Sequence, residues 1–551
     1  MPRCLRAILA ALVVCAAAVI AAGCASSRNA HLPGGSPETL AGKLNMPPAI
    51  ALGRDVKPAE NAGTAAAGDP AAPAPADSAN APPPSDTASS ATENPDADAE
   101  DEDGAKTIVI HKYRFGLEQA AQWALANNLS LMNMRDQVTG SQFNLRAAAA
   151  NFEVKIIPKT NAGLTGGTGG TRAASGAGLE LSKKMNTGTV AGVSGTTANN
   201  GTSTTSGVGA TLTQPLLRGL GKTVNEDALL DAQFGVLSSR RSFVQFEEAL
   251  VVSVVRGFYE IIKQRELVDL SRKSAERMRR HLDAAQAREK VGLASRIDVL
   301  RADIQMRQAQ DSLLAAEQAY GDAVDSLRVM LGFGPQDDVE IDSDLTYNEF
   351  SVDQDQAILM AMTNRLDLAQ SRDEIEVAER KVRVAKNNTL PQLDLVLGYA
   401  QSGTGSSFSD TTGLRDSTWT LGLATSTDIR RTAERVRYEQ SKLDFEARKR
   451  NNQLLQDTLV REVKDAIRRL DVSRKRIDIQ KAEMDQAQQK LRLAKIKFDR
   501  GLGDNFDLIT AEEEVLRAQS AHIAAVTDYI VSQVEVKRAL GTLIEKPAGL
   551  K

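Results

Sequence analysis

The sequence is poor in the residues that build catalytic and metal-binding sites. Its 551 residues include three cysteines and four histidines, and aromatic residues make up 4% of the chain. The sequence shows no HExxH pair, no phosphate-binding glycine loop and no convincing Ser-His-Asp arrangement. We therefore expect a protein that is not an enzyme and that needs neither a cofactor nor a metal ion.

An excess of charge of one sign is also lacking. The chain carries 67 basic and 71 acidic residues. A nucleic-acid-binding protein concentrates basic residues on one face. The basic cluster Arg272 to Arg280 is instead interleaved with Glu266, Asp269, Glu276 and Asp283, as on a solvated or inter-helix face. We expect no nucleic-acid partner.

The apolar run near the N-terminus is too short for a membrane-spanning helix. It covers residues 7–22 after Arg3 and Arg6, which is typical of a signal peptide. The run stops at Ala21-Ala22-Gly23-Cys24, which resembles a bacterial lipobox, with Ala21 where Leu is more usual. We predict a signal peptide over 1–23 and lipidation of Cys24; the alternative is an ordinary cleaved signal. Removal of Cys4 and Cys15 leaves one cysteine, which excludes a disulfide within the mature chain.

Residues 24–106 have the composition of a tether. Ala, Pro, Ser and acidic residues dominate from about Pro33 to Asp103, and such a segment buries too little apolar surface to order itself. A flexible coil of roughly 80 residues spans on the order of 50 Å. We predict a passive linker between an anchor and a folded domain; the alternative is a spacer that contacts the cell wall.

The remaining chain contains an internal repeat. The stretch 292–332 returns at 501–541 with one constant offset and no gap, so that Gly292, Asp298 and Gly332 correspond to Gly501, Asp507 and Gly541. Residues 309–330 carry apolar positions at a period of 3.5, typical of a coiled helical seam. Residues 220–290 and 430–500 contain no proline, and helices of that length run on the order of 100 Å. Each repeat is therefore predicted to contain a long helical hairpin, at about 220–332 and about 430–543.

A pair of strand-like segments precedes each hairpin, at about 152–217 and about 390–427. Apolar and polar residues alternate around Leu395 and Leu421, and more weakly around Ile156 and Ala210. Segments of about ten residues with one apolar face fit a transmembrane β-barrel. We interpret the Gly-, Thr- and Ser-rich stretch Gly166 to Gly207 as an exposed loop. Because four strands cannot close a barrel and open edges in lipid are costly, the chain should oligomerise.

The order of several motifs resembles that of the outer-membrane efflux protein family typified by TolC. The motifs are Phe115 to Ala120, Ala124 to Asn128, Asn364 to Leu368, Gln214 to Leu217, Leu390-Pro391, and Lys537 to Leu543. The resemblance implies a fold that is mainly α with a transmembrane β-barrel: a homotrimer in which four strands per chain make a twelve-stranded barrel above an α-helical tunnel. It divides the folded part into a first repeat at 107–332 and a second at 333–551, the second opening with an equatorial segment.

The resemblance also places two kinds of functional residues at the hairpin tips. The turns Val291-Gly292-Leu293 and Arg500-Gly501-Leu502 would contact a periplasmic adaptor, or serve as ordinary helix ends, or both. Asp507 matches an aspartate that lines the closed tunnel entrance, and Asp298 is its counterpart in the first repeat. The alternative for both is a favourable charge at a helix N-terminus, which we favour for Asp298. The second acidic position is Thr510, and Phe498 and Gly503 replace a gate tyrosine and arginine, so the closed state would be held differently.

The function implied is that of an outer-membrane exit duct. The protein would be lipid-anchored in the bacterial outer membrane, extend into the periplasm, and conduct substrates passively from an inner-membrane pump and its adaptor, in efflux or type I secretion. The alternative is a structural lipoprotein that links the outer membrane to the cell envelope without transport. The strands with one apolar face favour the duct, because a scaffold without transport has no use for strands with an apolar face opposite a polar one.

Overall fold

The computed structural model describes residues 112–167, 170–292, 294–334, 336–341, 345–500, 502, 505–547 and 550. The predicted signal peptide, Cys24 and the tether lie outside the described residues. Within them, each half of the chain has the same order: two helices, a group of strands, then a long helix and its returning partner. The ten helices of the described part are α1 Leu117–Asn127, α2 Leu129–Ala149, α3 Lys222–Asn225, α4 Asp227–Lys290, α5 Arg296–Leu331, α6 Gln354–Asn364, α7 Leu366–Asn388, α8 Phe408–Thr411, α9 Thr432–Asp499 and α10 Asn505–Ala539.

The helices α4 and α9 are the longest elements of the described chain. They have 64 and 68 residues, which at 1.5 Å per residue correspond to about 96 and about 102 Å. No proline interrupts either one. Along its length α4 packs against α5 and then α2, and α9 packs against α10 and then α7. Each long helix is thus accompanied by two shorter helices placed end to end.

The joints between the stacked helices are closed by polar contacts. At the first joint, Asn128 at the start of α2 donates from Nδ2 to the carbonyl of Met330 at 2.8 Å. At the second, the guanidinium of Arg365 donates to the carbonyl of Ala539 at 3.4 Å. Gly332 and Gly541 follow the ends of α5 and α10 with φ of +80° and +66°. A Cβ on Gly332 would lie 2.5 Å from the Asn127 carbonyl oxygen, so the joint requires glycine.

The predicted seam of α5 is confirmed by its burial. Positions 302, 306, 309, 313, 316, 320 and 327 are buried or half-buried, whereas 310–312 are exposed. The main apolar core lies where the two repeats meet at mid-height, with Phe258, Leu327 and Tyr529 fully buried. A two-stranded parallel sheet joins the openings of the repeats, β1 Lys112–Phe115 with β6 Asp338–Ile341. The two halves therefore form one packed body.

A six-stranded antiparallel sheet stands at the end of the long helices opposite the hairpin tips. Its strands are β2 Val154–Gly167, β3 Gly170–Lys184, β4 Val190–Asn199, β5 Thr204–Pro215, β7 Asp394–Gly405 and β8 Asp416–Ala424, and they pair in that order. The strands β2, β5, β7 and β8 correspond to the predicted pairs.

The stretch Gly166 to Gly207, which we expected to be an exposed loop, was predicted wrongly. It holds β3 and β4, and one chain contributes six strands to the sheet instead of four. The physical reason is that β3 and β4 are built mostly from Gly, Ala, Ser and Thr, whose small side chains give little hydrophobic alternation. Backbone ladder hydrogen bonds and pairing with larger neighbours stabilise these strands. No helix among the described residues is long and apolar enough to span a membrane.

Candidate functional site: the tips of the two helical hairpins

The first tip joins α4 to α5 through a capped turn. Val291 is the C-cap of α4, and Gly292 has φ of +75°, the left-handed conformation expected there. Ser295 is the N-cap of α5 and accepts a hydrogen bond from the Asp298 amide. The Oδ2 atom of Asp298 accepts in return from the Ser295 amide at 3.1 Å and hydroxyl at 2.7 Å. This reciprocal capping box fixes where α5 begins.

Asp298 therefore has a structural role as one of the two residues of the capping box. Its hydrogen bonds from Ser295 lower the pKa of the carboxyl group. The carboxylate lies in the first turn of α5, where it also interacts favourably with the helix dipole. This geometry agrees with the alternative that we favoured for Asp298, a helix-start charge. A part in a gate stays a prediction for this residue.

The second tip joins α9 to α10. Arg500 is the C-cap of α9, and the Leu502 amide donates to the Lys497 carbonyl at 2.9 Å. Asp507 lies exposed in the first turn of α10, and among the described residues its side chain has no hydrogen-bond or ion-pair partner. Leu293 of the first tip and Gly501 of the second lie outside the described residues, so their predicted roles stay predictions.

Both tips expose large apolar side chains. Val291 and Ile297 of the first tip are 67% and 61% exposed, and Leu502 and Phe506 of the second are 77% and 61% exposed. Ile297 and Phe506 occupy equivalent positions of the repeat. Small buried clusters lie just behind the tips and hold each hairpin together, Leu282 with Val299 in the first and Ala487 with Val515 in the second. The exposed residues thus lie on hairpin ends that these buried clusters hold together.

A buried carboxylate ties the two hairpins together behind the tips. Glu512 of α10 accepts from Arg277 Nε at 3.3 Å and is hydrogen-bonded to His281 Nε2 at 3.0 Å, and both partners lie on α4. Its side chain is 8% exposed. Sequence reasoning missed Glu512, because its partners are more than 230 residues away. Its counterpart in the first repeat is Asp303, which within the described part of the chain accepts a hydrogen bond from Arg307 on its own helix.

Nearer the tips, a cation–π contact joins α4 to α9. The guanidinium carbon of Arg288 lies 4.2 Å from the centre of the Phe498 ring. Phe498 is the residue that replaces a gate tyrosine in the sequence pattern. The contact holds the ends of the two hairpins together without the phenolic hydroxyl. The described residues contain no group of three His, Cys, Asp or Glu side chains suited to a metal ion.

The arrangement of the helices and the sheet defines a class of protein. A six-stranded β-sheet mounted on helices about 100 Å long, which end in hairpin tips, defines a mainly helical protein with a β-sheet at one end. The model of the outer membrane efflux protein family matches residues 120–333 and 357–542. The chain belongs to the outer membrane efflux protein family.

Relatives and solved structures agree with this assignment. The outer membrane protein TolC of Escherichia coli is 23% identical over 314 residues, which cover 54% of this chain and 63% of TolC. The outer membrane efflux protein BepC of Brucella suis is 23% identical over 359 residues, 63% of this chain and 75% of BepC. The CmeC outer membrane channel of Campylobacter jejuni superimposes with a TM-score of 0.63 at 16% identity, covering 79% of this chain and 87% of CmeC.

These comparisons confirm two predictions from the sequence. The resemblance to the TolC-like family is confirmed, and so is the fold class, a mainly helical tunnel protomer with a barrel sheet. Membership of a channel family, rather than any missing group, supports the prediction that the chain is not an enzyme. The chain spans less than two thirds of the length of the E. coli relative that it matches.

Proposed function

We propose that the protein is the outer-membrane exit duct of a tripartite efflux or type I secretion system. It conducts solutes passively, while an inner-membrane pump and a periplasmic adaptor select and drive them. The observation that carries the proposal is the sheet on its long helices: an exposed apolar face stands at one end of rods about 100 Å long. Membership of the outer membrane efflux protein family supports the same location.

The edges of the sheet support an assembly of several chains. Among the described strands, β2 and β8 stand at the two ends of the sheet, and each has one unpaired edge. Open edges are not tolerated in lipid, because their amide and carbonyl groups have no partners there. The strand β2 runs antiparallel to β8, so β2 of one copy can pair with β8 of the next in a closed ring. We infer a homotrimer, following the family pattern.

The exposed tips support docking of an adaptor. Val291, Ile297, Leu502 and Phe506 offer apolar side chains on rigid, capped ends, which suits contacts with the helical hairpin of a partner protein. In a trimer the three Asp507 carboxylates come near one axis, where a narrow acidic ring favours cations and controls passage. Asp298 lies at the tip of the other hairpin, in the first turn of α5, and acts mainly through its cap.

Lipidation at Cys24 would anchor the mature chain beside the barrel. The tether of residues 24–106 then joins the acylated end to β1. Metabolic labelling with a radioactive fatty acid should mark the wild-type protein and leave Cys24→Ala unlabelled. A labelled Cys24→Ala variant would refute the anchor while leaving the duct intact.

Conductance across a planar lipid bilayer tests the duct itself. The purified protein should give discrete conductance steps, and Asp507→Asn should reduce cation selectivity several-fold. The exposed Glu513→Gln change, six residues along the same helix, is the matched control and should keep wild-type selectivity. Protein that inserts but gives no steps, in either form, would favour the non-conducting scaffold.

A further inference from the structure

The hairpin formed by β3 and β4 lies between β2 and β5 in the sheet. Its side chains point to the same two faces as those of the neighbouring strands. The register aligns one residue from each strand in a row that crosses the whole sheet: Ile156, Leu181, Val193, Ala210, Tyr399 and Trp419. Opposite residues of paired strands point to the same face. Every member of this row is apolar or aromatic, and its end members Ile156 and Trp419 are 64% and 63% exposed. In this row the hairpin therefore continues the apolar face from β2 to β5.

The neighbouring row on the opposite face has the contrary character. It consists of Lys155, Ser182, Gly192, Thr211, Gly398 and Thr420. Each member is polar or glycine, which fits a face toward water. On this same face Lys159 of β2 forms an ion pair with Glu180 of β3. The inserted strands thus obey the lipid-facing and water-facing alternation of a transmembrane sheet.

The turn between β3 and β4 is built into the base of the sheet. Gly188 in this turn has φ of +97°, and a Cβ there would lie 2.5 Å from the Gly219 carbonyl oxygen. The Gly221 amide donates to the Thr187 carbonyl at 3.2 Å, and the Thr189 hydroxyl bonds to Gln214. The turn therefore rests on the segment that leads from β5 into the long helix. Short turns at this end are typical of transmembrane barrels.

We propose that β3 and β4 are part of the membrane wall, so that three copies of the chain close an eighteen-stranded barrel around the exit. The proposal rests on the trimeric duct proposed above. The occupant of the apolar face is the lipid bilayer, and the occupants of the β2 and β8 edges are neighbouring copies. Because barrel diameter grows roughly linearly with strand number, this barrel is about one and a half times as wide as a twelve-stranded one. The outer exit then admits bulkier solutes than a wall built from four strands per chain.

Site-directed fluorescence distinguishes lipid-facing from water-facing positions. Single cysteines would replace Leu179 on the apolar face of β3 and Glu180 beside it on the polar face. Leu397 and Thr420 supply the matched pair in β7 and β8. Each variant is labelled with a nitrobenzoxadiazole dye and placed in vesicles that contain nitroxide-labelled lipid, and the parent chain without an added cysteine gives the blank. The dye at Leu179 and Leu397 should be strongly quenched, and the dye at Glu180 and Thr420 should not.

The outcomes separate this proposal from the function on which it rests. Quenching at Leu397 without quenching at Leu179 places the hairpin outside the wall, and it overturns the eighteen-stranded barrel while the duct stands. Absence of quenching at both positions overturns the membrane sheet altogether. Quenching at both Leu179 and Leu397, with Glu180 unquenched, supports six strands per chain.

A deletion gives an independent measure of width. Residues 168–203 are replaced by Asn-Gly, a turn that would join β2 directly to the antiparallel strand β5. The deleted protein should exclude smaller poly(ethylene glycol) molecules from the outer end of the pore than the full chain does. An unchanged exclusion size in a folded, inserted variant would overturn the proposal. If the deleted chain does not insert, the fluorescence experiment decides.

Discussion

The guanidinium of Arg288 stacks over the ring of Phe498 at 4.2 Å, and this contact links the end of α4 to the end of α9. Such a contact stabilises by about 0.5–1 kcal/mol when partly exposed. We predict that Phe498→Leu loosens the tips and raises the frequency of channel opening in planar bilayers several-fold. Phe498→Tyr retains the ring and should behave as wild type.

Phe445→Leu is the matched control for the loss of a ring. Lys449 lies 4.1 Å from the Phe445 ring, but both residues belong to α9, so this contact does not join the hairpins. The variant should leave channel opening unchanged. Equal effects of the two leucine substitutions would show that the loss of a ring, and not the loss of the link between hairpins, changes opening.

The Glu512 carboxylate should stabilise the packing of the two hairpins. Glu512→Gln removes the charge that faces Arg277 and His281 in a buried position. Hydrogen bonds to charged groups contribute about 1.5–3 kcal/mol, so the variant should unfold at a clearly lower temperature, measured by circular dichroism in detergent. The control Glu513→Gln, on the exposed side of the same helix, should melt as wild type. Equal melting of both variants would contradict this role.

The glycine at each helix joint should resist substitution. Gly332→Ala introduces a Cβ into a left-handed residue, 2.5 Å from the Asn127 carbonyl oxygen. The conformation alone costs about 1–2 kcal/mol, so the free energy of unfolding should fall by at least that amount. Gly321→Ala, in the open interior of α5, should instead raise it by up to about 1 kcal/mol. Denaturant titration of the two variants measures the difference, and similar values would contradict the steric reading of the joint.

Stability should depend on pH through Glu247. Burial raises the pKa of this carboxyl group to about 7 from 4.5, with Arg135 partly opposing the shift. Between pH 4.5 and 7 the folded state therefore binds more protons than the unfolded state, and stability falls as pH rises. The slope is at most about 1.4 kcal/mol per pH unit. Glu247→Gln should flatten the melting profile in this window, whereas Glu513→Gln should keep the wild-type slope. An unchanged slope in Glu247→Gln would assign the pH dependence to other groups.

The sequence predicts the helices well and the first sheet segment poorly. Proline-free stretches and a 3.5-residue period indicate α4, α5, α9 and α10, because helix formation depends on local spacing. Large residues such as Leu397 and Trp419 make β7 and β8 visible in the same way. In β3 and β4 the alternating residues are small. Only their register with β2 and β5 shows that they lie on the same two faces of the sheet.

The candidate site shows the same contrast between features that depend on neighbours in sequence and contacts between distant residues. Local signals predict Ser295 as a helix cap and Gly292 as the end of α4, since both depend on neighbours in sequence. The contacts that join the hairpins, Glu512 with Arg277 and Arg288 with Phe498, bring together residues more than 200 positions apart. No spacing rule reveals such pairs, so only the folded chain shows them.

The end-to-end stacking of helices has a mechanical consequence. The rods α4 and α9 pass the joints unbroken, while α5 abuts α2 near Asn128 and α10 abuts α7 near Arg365. The joints occupy equivalent positions in the two repeats. A sideways force on the tips would therefore bend both hairpins at the same distance from the sheet. In the proposed duct, a partner that pulls the tips apart would therefore widen the part of the tunnel between the joints and the tips, while the part next to the sheet keeps its width.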